Sequence, residues 1–255
     1  MNADDWDLRL NDTTGERPPL LAEVGRSLLV EIMGPAAAGK TSLVRTLRAR
    51  DDRIRAGFAV PRLLWFRFVV GKVATLFPVW ILRYRRDRWF TWNEMKSMAF
   101  LDAWLRASRR SASTSTLAIV LDHGPVYRLA RLREFGPAVT RSARFQRWWR
   151  ACLDGWLGAL DVVVSLDAPD PVLLDRVEER GHWYLSADRP SEEKDEFLAR
   201  FRRAFAETLQ TGTAGRPKLV RVRSDRRTPH EIAEEVLAEL GSIADGPPRP
   251  EASRR

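Results

Sequence analysis

LLVEIMGPAAAGKTSLVRTLRA, residues 28–49, decides the fold. An apolar run, Leu28–Met33, is followed by G-x-x-x-x-G-K-[ST] at 34–41 and then by apolar residues at helical spacing. Gly34 and Gly39 let the backbone wrap tightly enough for its N–H groups to face an anion. Gly34, Pro35, Ala36, Ala37, Ala38 and Gly39 make up this loop, and Ser42 continues it into the helix. Lys40 has the reach for the β- and γ-phosphates of a nucleoside triphosphate, and the Thr41 hydroxyl is a ligand for Mg²⁺. The helix that starts there adds its N-terminal dipole to the same site. ATP and Mg²⁺ are the cofactors this pattern implies.

Working outward, three further apolar runs read as buried strands: Leu117–Leu121, Val162–Leu166 and Leu219–Val222. Helical patterns cover 40–50, 93–107, 137–153, 170–180, 191–209 and 229–240. The last opens on Thr228-Pro229, an N-cap followed by proline at the first helical position. Strands alternating with helices predict an open parallel sheet with helices on both faces. Such sheets bind ligands beyond the carboxyl ends of their strands. The fold class predicted is therefore α/β: a P-loop NTPase three-layer sandwich.

The 255 residues suggest one large domain, or one domain with an insertion. Residues 1–25 read as a loose polar arm and 244–255 as a disordered, Pro-rich tail, which leaves 26–243 as the domain. Cys152 is the single cysteine, so an intrachain disulfide is excluded, and no Cys/His cluster has zinc-site spacing. No basic-then-apolar signal opens the chain, and a cytoplasmic enzyme is expected. The net charge of +9 favours phosphates, acidic lipids or nucleic acid without choosing among them.

No Asn-Lys-x-Asp motif follows a strand, which argues against a GTPase. The run AIVLDHGPVYRLARL places Asp122 at the carboxyl end of a strand. A carboxylate there holds a Mg²⁺-bound water or orients an acceptor hydroxyl. It is also the kind of residue that begins a turn before His123-Gly124-Pro125. Downstream, GPAAAGKT, VLDHGP, VVVSLDAPDPVLLDRVEERG and ADRPSEEKDEFLARFRRAF occur in the order found in the thymidylate kinase group of P-loop kinases. The chain resembles that group loosely over 27–60 and 93–241. The resemblance implies a kinase with a mobile, Arg-bearing lid, here 181–191, that closes over ATP. It implies that Arg180 and Arg189, and less strongly Arg176, neutralise the transferring phosphoryl group, with Lys40 and Asp122 completing the catalytic set. It also implies that the stretch 224–228 lies beside the adenine. Two positions depart from the group: His123 stands where its Asp-Arg motif has arginine, and the variable loop positions carry no charge. Arg128 and Arg131, after the strand, are alternative contacts for an anionic acceptor, or a basic surface.

The resemblance does not account for 61–90, PRLLWFRFVVGKVATLFPVWILRYRRDRWF. Leu63–Leu82 is long and apolar, but Arg67, Gly71, Lys72, Thr75 and Pro78 recur at helical spacing as a polar stripe. An amphipathic helix pair broken near Pro78 is expected rather than a membrane span. Between Arg53 and Phe90 nine Lys/Arg face one acid, Asp87, so this insertion (61–92) suits peripheral membrane or lipid contact, a homodimer interface or a core layer. Trp89, Trp92, Trp148 and Trp149 lie near arginines, but no nucleic-acid module is present, and a nucleic-acid partner is not expected. The reading is an ATP- and Mg²⁺-dependent kinase acting on a small-molecule acceptor: nucleoside or nucleotide, sugar, or lipophilic glycan precursor. The alternative is a P-loop ATPase or nucleotide-binding regulatory protein acting on a protein or membrane partner.

Overall fold

A computed structural model describes residues 27–57, 62–108, 116–179, 191–213 and 217–245. The arm 1–25, the tail from 246, Arg180, Arg189 and nearly all of the lid lie outside the described residues. The four apolar runs all form strands: β1 (Leu28–Met33), β3 (Ala118–Asp122), β4 (Val162–Asp167) and β5 (Lys218–Arg223). A short strand that the sequence does not advertise, β2 (Ile54–Ala56), joins the edge. All pairings are parallel, in the order β2-β3-β1-β4-β5. The helices are α1 (Lys40–Arg50), α2 (Arg62–Val79), α3 (Trp92–Ser108), α4 (Pro125–Phe135), α5 (Ala143–Ala159), α6 (Asp170–Glu179), α7 (Ser191–Thr211) and α8 (Pro229–Ala244).

The period-2 alternation of β1 splits its side chains between two layers. Leu28, Val30 and Ile32 pack with Leu43 and Leu47 of α1 and Ile232 and Val236 of α8. Leu29 and Met33 face α3, α4, α5 and α7, where the fully buried Trp149 and Trp156 sit. The ring N–H of Trp149 donates to the Leu129 carbonyl at 2.9 Å, and that of Trp156 to the Leu101 carbonyl at 3.1 Å. These indoles are core residues with their polar atoms satisfied, not a platform for stacking bases.

Two helices differ from expectation. The periodicity around 137–153 belongs to a helix that starts later, because Pro137 opens a 3₁₀ turn (Ala138–Arg141) and Ser142 caps α5 by accepting from Phe145 N. α4 is additional; its signal was Pro125 at the first helical position after Gly124.

The insertion differs more. Pro78 does not split it: α2 runs on to Val79 and passes into a π turn (Trp80–Tyr84). A missing N–H at Pro78 removes one helical bond, and the wider turn follows directly. The expected polar stripe is divided: Arg67, Gly71 and Pro78 are exposed, and Lys72 is not. Lys72 points inward, its Nζ 2.7 Å from Asp102 Oδ2 of α3 and 4.0 Å from the Trp148 ring centroid, while Trp148 Nε1 donates to Asp102 Oδ1 at 3.0 Å. Burial pulls the Lys72 ammonium below its ordinary pKa, and Asp102 opposes that pull. Among the described residues no helix is long and apolar enough to cross a membrane.

The Lys72–Asp102–Trp148 cluster anchors the insertion to the core, and removing one partner leaves a poorly solvated charge. Asp102→Ala is expected to destabilise the protein by about 3 kcal/mol, and adding Lys72→Met to return most of that loss. Urea unfolding of the single and double variants checks both expectations.

Candidate nucleotide and phosphoryl-transfer site

The register that pairs Ile32 with Asp122 and Met33 with Ser165 brings three loops together at the carboxyl ends of β1, β3 and β4. The loop after β1 begins at Gly34, whose φ is +152°; a Cβ there would lie 2.2 Å from the Leu166 carbonyl oxygen. Glycine is thus required twice, by conformation and by the close approach of β4. Ala37 and Gly39 also have positive φ, at 59° and 94°. Gly39 is the N-cap of α1 and brings no side chain to its N–H groups, and the first turn holds no acidic residue. An N-terminal helix end left without a side-chain cap is suited to an anion.

Lys40 is buried, 6% exposed, and its Nζ donates to the carbonyls of Gly34 at 3.0 Å and Pro35 at 2.7 Å. Its charge is held over the loop rather than in solvent. The Thr41 hydroxyl donates to Asp122 Oδ2 at 2.8 Å. The two residues assigned to the metal from sequence, 81 positions apart, are thus in direct contact. A hydroxyl and a carboxylate are the hard oxygen donors Mg²⁺ prefers, and that ion ordinarily completes its shell with phosphates and water. The pair therefore fits the expected ion.

His123 follows Asp122 at a positive φ of 51°, an uncommon conformation for a residue with a side chain. Its Nδ1 stands 3.1 Å from Asp122 Oδ1, and its ring meets the Tyr127 ring edge-on with centroids 4.5 Å apart. Burial works to raise the Asp122 carboxyl, but His123, the Thr41 hydroxyl and the charge of Lys40 outweigh it and hold the group below its ordinary value. Burial, with the charges of Lys40 and Arg128, lowers His123 despite Asp122. A neutral imidazole beside an ionised carboxylate results at neutral pH.

One site residue was not picked out from the sequence. Glu31 lies in the middle of β1, on the face turned to α4, and is fully buried. Its carboxyl accepts from Val126 N and Tyr127 N, both at 2.8 Å, and so caps α4 from another element. Gly124, which precedes α4, must lack a side chain, since a Cβ there would lie 2.8 Å from Glu31 Cδ. The available signal was one acid inside an otherwise apolar strand. Burial pushes this carboxyl up to about 8, against two backbone donors and the nearby Arg128 charge.

Arg128 is one helical turn beyond Gly124. Its Nη1 donates to Ser97 Oγ at 3.0 Å, its guanidinium carbon lies 5.6 Å from the Trp104 ring centroid, and its buried Nε has no hydrogen-bond partner among the described residues. Burial lowers its pKa. Arg176 serves elsewhere: it donates to the Ser224 hydroxyl at 3.2 Å and carbonyl at 2.8 Å, tying α6 to the turn after β5. Arg202 of α7 similarly binds Asp167 at the end of β4, with Nε–Oδ2 at 2.9 Å.

No protein-family model matches the sequence, and a search of curated proteins gives no match. Solved structures do match. Thymidylate kinase from Candida albicans is 14% identical, with a TM-score of 0.51 over 87% of this chain and 95% of that one. Deoxyadenosine kinase from M. mycoides with bound dCTP is 11% identical, with a TM-score of 0.47 over 84% and 100%. Shikimate kinase from Acinetobacter baumannii in complex with shikimate is 14% identical, with a TM-score of 0.43 over 85% and 94%. The sheet order, the loop after β1 and the likeness to thymidylate kinase define the class: the chain has an α/β P-loop NTPase fold.

Glu31 makes stability pH-dependent in a definite sense. Its pKa is higher folded than its ordinary 4.5, so the folded chain binds the proton more tightly. The associated stability is fully present below about 4.5 and is lost as pH rises through about 8. The urea midpoint is expected to fall across that interval. Glu31→Gln should flatten that slope while lowering stability on the acid side, because an amide offers one acceptor oxygen to two N–H donors.

Proposed function

We propose that the protein is a kinase that transfers the γ-phosphoryl group of ATP to a hydroxyl of a small acceptor. The observation that carries this reading is the 2.8 Å contact of Thr41 Oγ1 with Asp122 Oδ2, which joins the phosphate loop to the carboxylate at the end of β3. In the proposed reaction the bond between the γ-phosphorus and the β,γ-bridging oxygen breaks, a bond from the acceptor oxygen forms, and the acceptor proton is released. A transfer of this kind needs positioning and positive charge more than covalent help. The backbone of Gly34–Gly39 and the N-terminus of α1 orient the triphosphate, and Lys40 supplies a fixed charge beside it. Mg²⁺ held by Thr41 and Asp122 would neutralise charge on the phosphate oxygens.

The depressed pKa of Asp122 keeps it ionised, which suits it to hold a metal-bound water or to accept a hydrogen bond from the acceptor hydroxyl. In this proposal Arg180 and Arg189 are the lid cations that meet charge developing on the phosphoryl group. Ser224, fixed by Arg176, begins the turn assigned to the adenine. Arg128 supports an acceptor that carries negative charge, since its charge reaches Asp122.

The test follows labelled γ-phosphate from MgATP into pooled nucleosides, nucleotides, sugars and lipid-linked glycan precursors. Acceptor-dependent transfer is expected, abolished by Lys40→Ala. Asp122→Asn should lower kcat by about 10²–10³ while ATP still binds. Phosphate release that needs Lys40 but no acceptor would instead favour an ATPase.

A further inference from the structure

The inward turn of Lys72 leaves a different face of the insertion in water. Val69, Lys72 and Leu76 point at the core. Phe66, Val70, Val73, Phe77 and Ile81 recur every three or four residues roughly a quarter turn around the axis, and all are exposed. Leu82, next to Ile81 at the end of the row, is 81% exposed. Five large apolar side chains in one line, with Leu82 beside them, are more than scattered surface hydrophobes.

Arginines surround this line. Arg67 flanks it on α2, and Arg83, Arg85 and Arg86 crowd its far end, all exposed. The acids nearby are already engaged. Asp87 accepts from Ala138 N, and Glu94 holds Arg88 at 2.8 Å. The face is therefore apolar along its crest and cationic at its rim.

We propose that this face, α2 with the π turn that follows, seats the protein on the surface of an anionic lipid bilayer. Hydrocarbon and phosphate lie a few ångströms apart in such a surface, in the same arrangement as the crest and rim. A second copy of the chain is a poor occupant, because its same face adds arginines while the acids beside them, Asp87 and Glu94, are already engaged. Single-stranded nucleic acid offers the phosphates but no hydrocarbon for Val70, Val73, Ile81 and Leu82. The chain lies on the bilayer and does not span it, consistent with α2 being too polar to cross.

Flotation of the full chain with vesicles tests this. The vesicles are phosphatidylcholine alone or with about a third phosphatidylglycerol, at low and high salt. The protein should float with the anionic vesicles, stay down with the neutral ones, and be released by salt. Ile81→Glu/Leu82→Glu and Arg85→Glu/Arg86→Glu should each reduce bound protein about tenfold or more without changing ATP binding. Failure to float on anionic vesicles would overturn the proposal, as would equal flotation of the Ile81→Glu/Leu82→Glu variant. A dimer in sedimentation that this variant dissolves would assign the face to self-association, and displacement from vesicles by an oligonucleotide would assign it to nucleic acid.

Discussion

The parallel pairing of β1 with β3 is the constraint on which the rest of the site depends. It sets Ile32 beside Asp122, so the loop that leaves β1 and the turn that leaves β3 open on the same side and at the same height. The Thr41–Asp122 hydrogen bond closes that arrangement across 81 residues. Parallel strands require long crossovers, and those crossovers lay helices over both sheet faces. The crossover between β2 and β3 is the one that carries the insertion, α2 with its π turn, ahead of α3. An insertion there enlarges a helical layer without disturbing the strand register.

Around this pairing the protein spends buried polar groups on holding helix ends in place. Glu31 caps α4 from within β1, and Gly124 leaves it the room. His123 sits in a strained left-handed turn between them. The three together fix the direction in which α4 leaves the sheet, and hence where Tyr127 and Arg128 stand relative to Lys40 and Asp122. A buried carboxyl is costly alone; two backbone donors and a nearby guanidinium make it tolerable and make the turn unique. Arg202 and Arg176 do comparable work at the opposite rim, tying α7 and α6 to the ends of β4 and β5.

The insertion shows how a polar residue in an apolar helix can belong to the core. Its apolar and polar residues do alternate as a helix requires, but the layer beneath carries Asp102, so Lys72 turns in beside Val69 and Leu76 while Phe66 and Phe77 stay exposed. Helical periodicity identifies which residues share a face. It does not say which face meets the core when the core itself offers a carboxylate.

The sequence by itself determined the glycine loop after β1, four of the strands, most of the helices and the place of Lys40 and Thr41 at the start of α1, because these follow from local spacing: glycines where the chain must turn, apolar runs where strands are buried on both sides. Asp122 was legible for the same reason, standing where an apolar run stops. What only the tertiary structure decided was everything that needs two distant segments at once. Glu31 could not be read as a cap without α4, nor Gly124 as a gap without Glu31. Arg176 could not be seen as a fastener without Ser224, nor Lys72 as a core residue without Asp102. Hydrogen bonds and ion pairs act over about 3 Å, and the spacing of residues along a chain does not record which of them folding will bring that close.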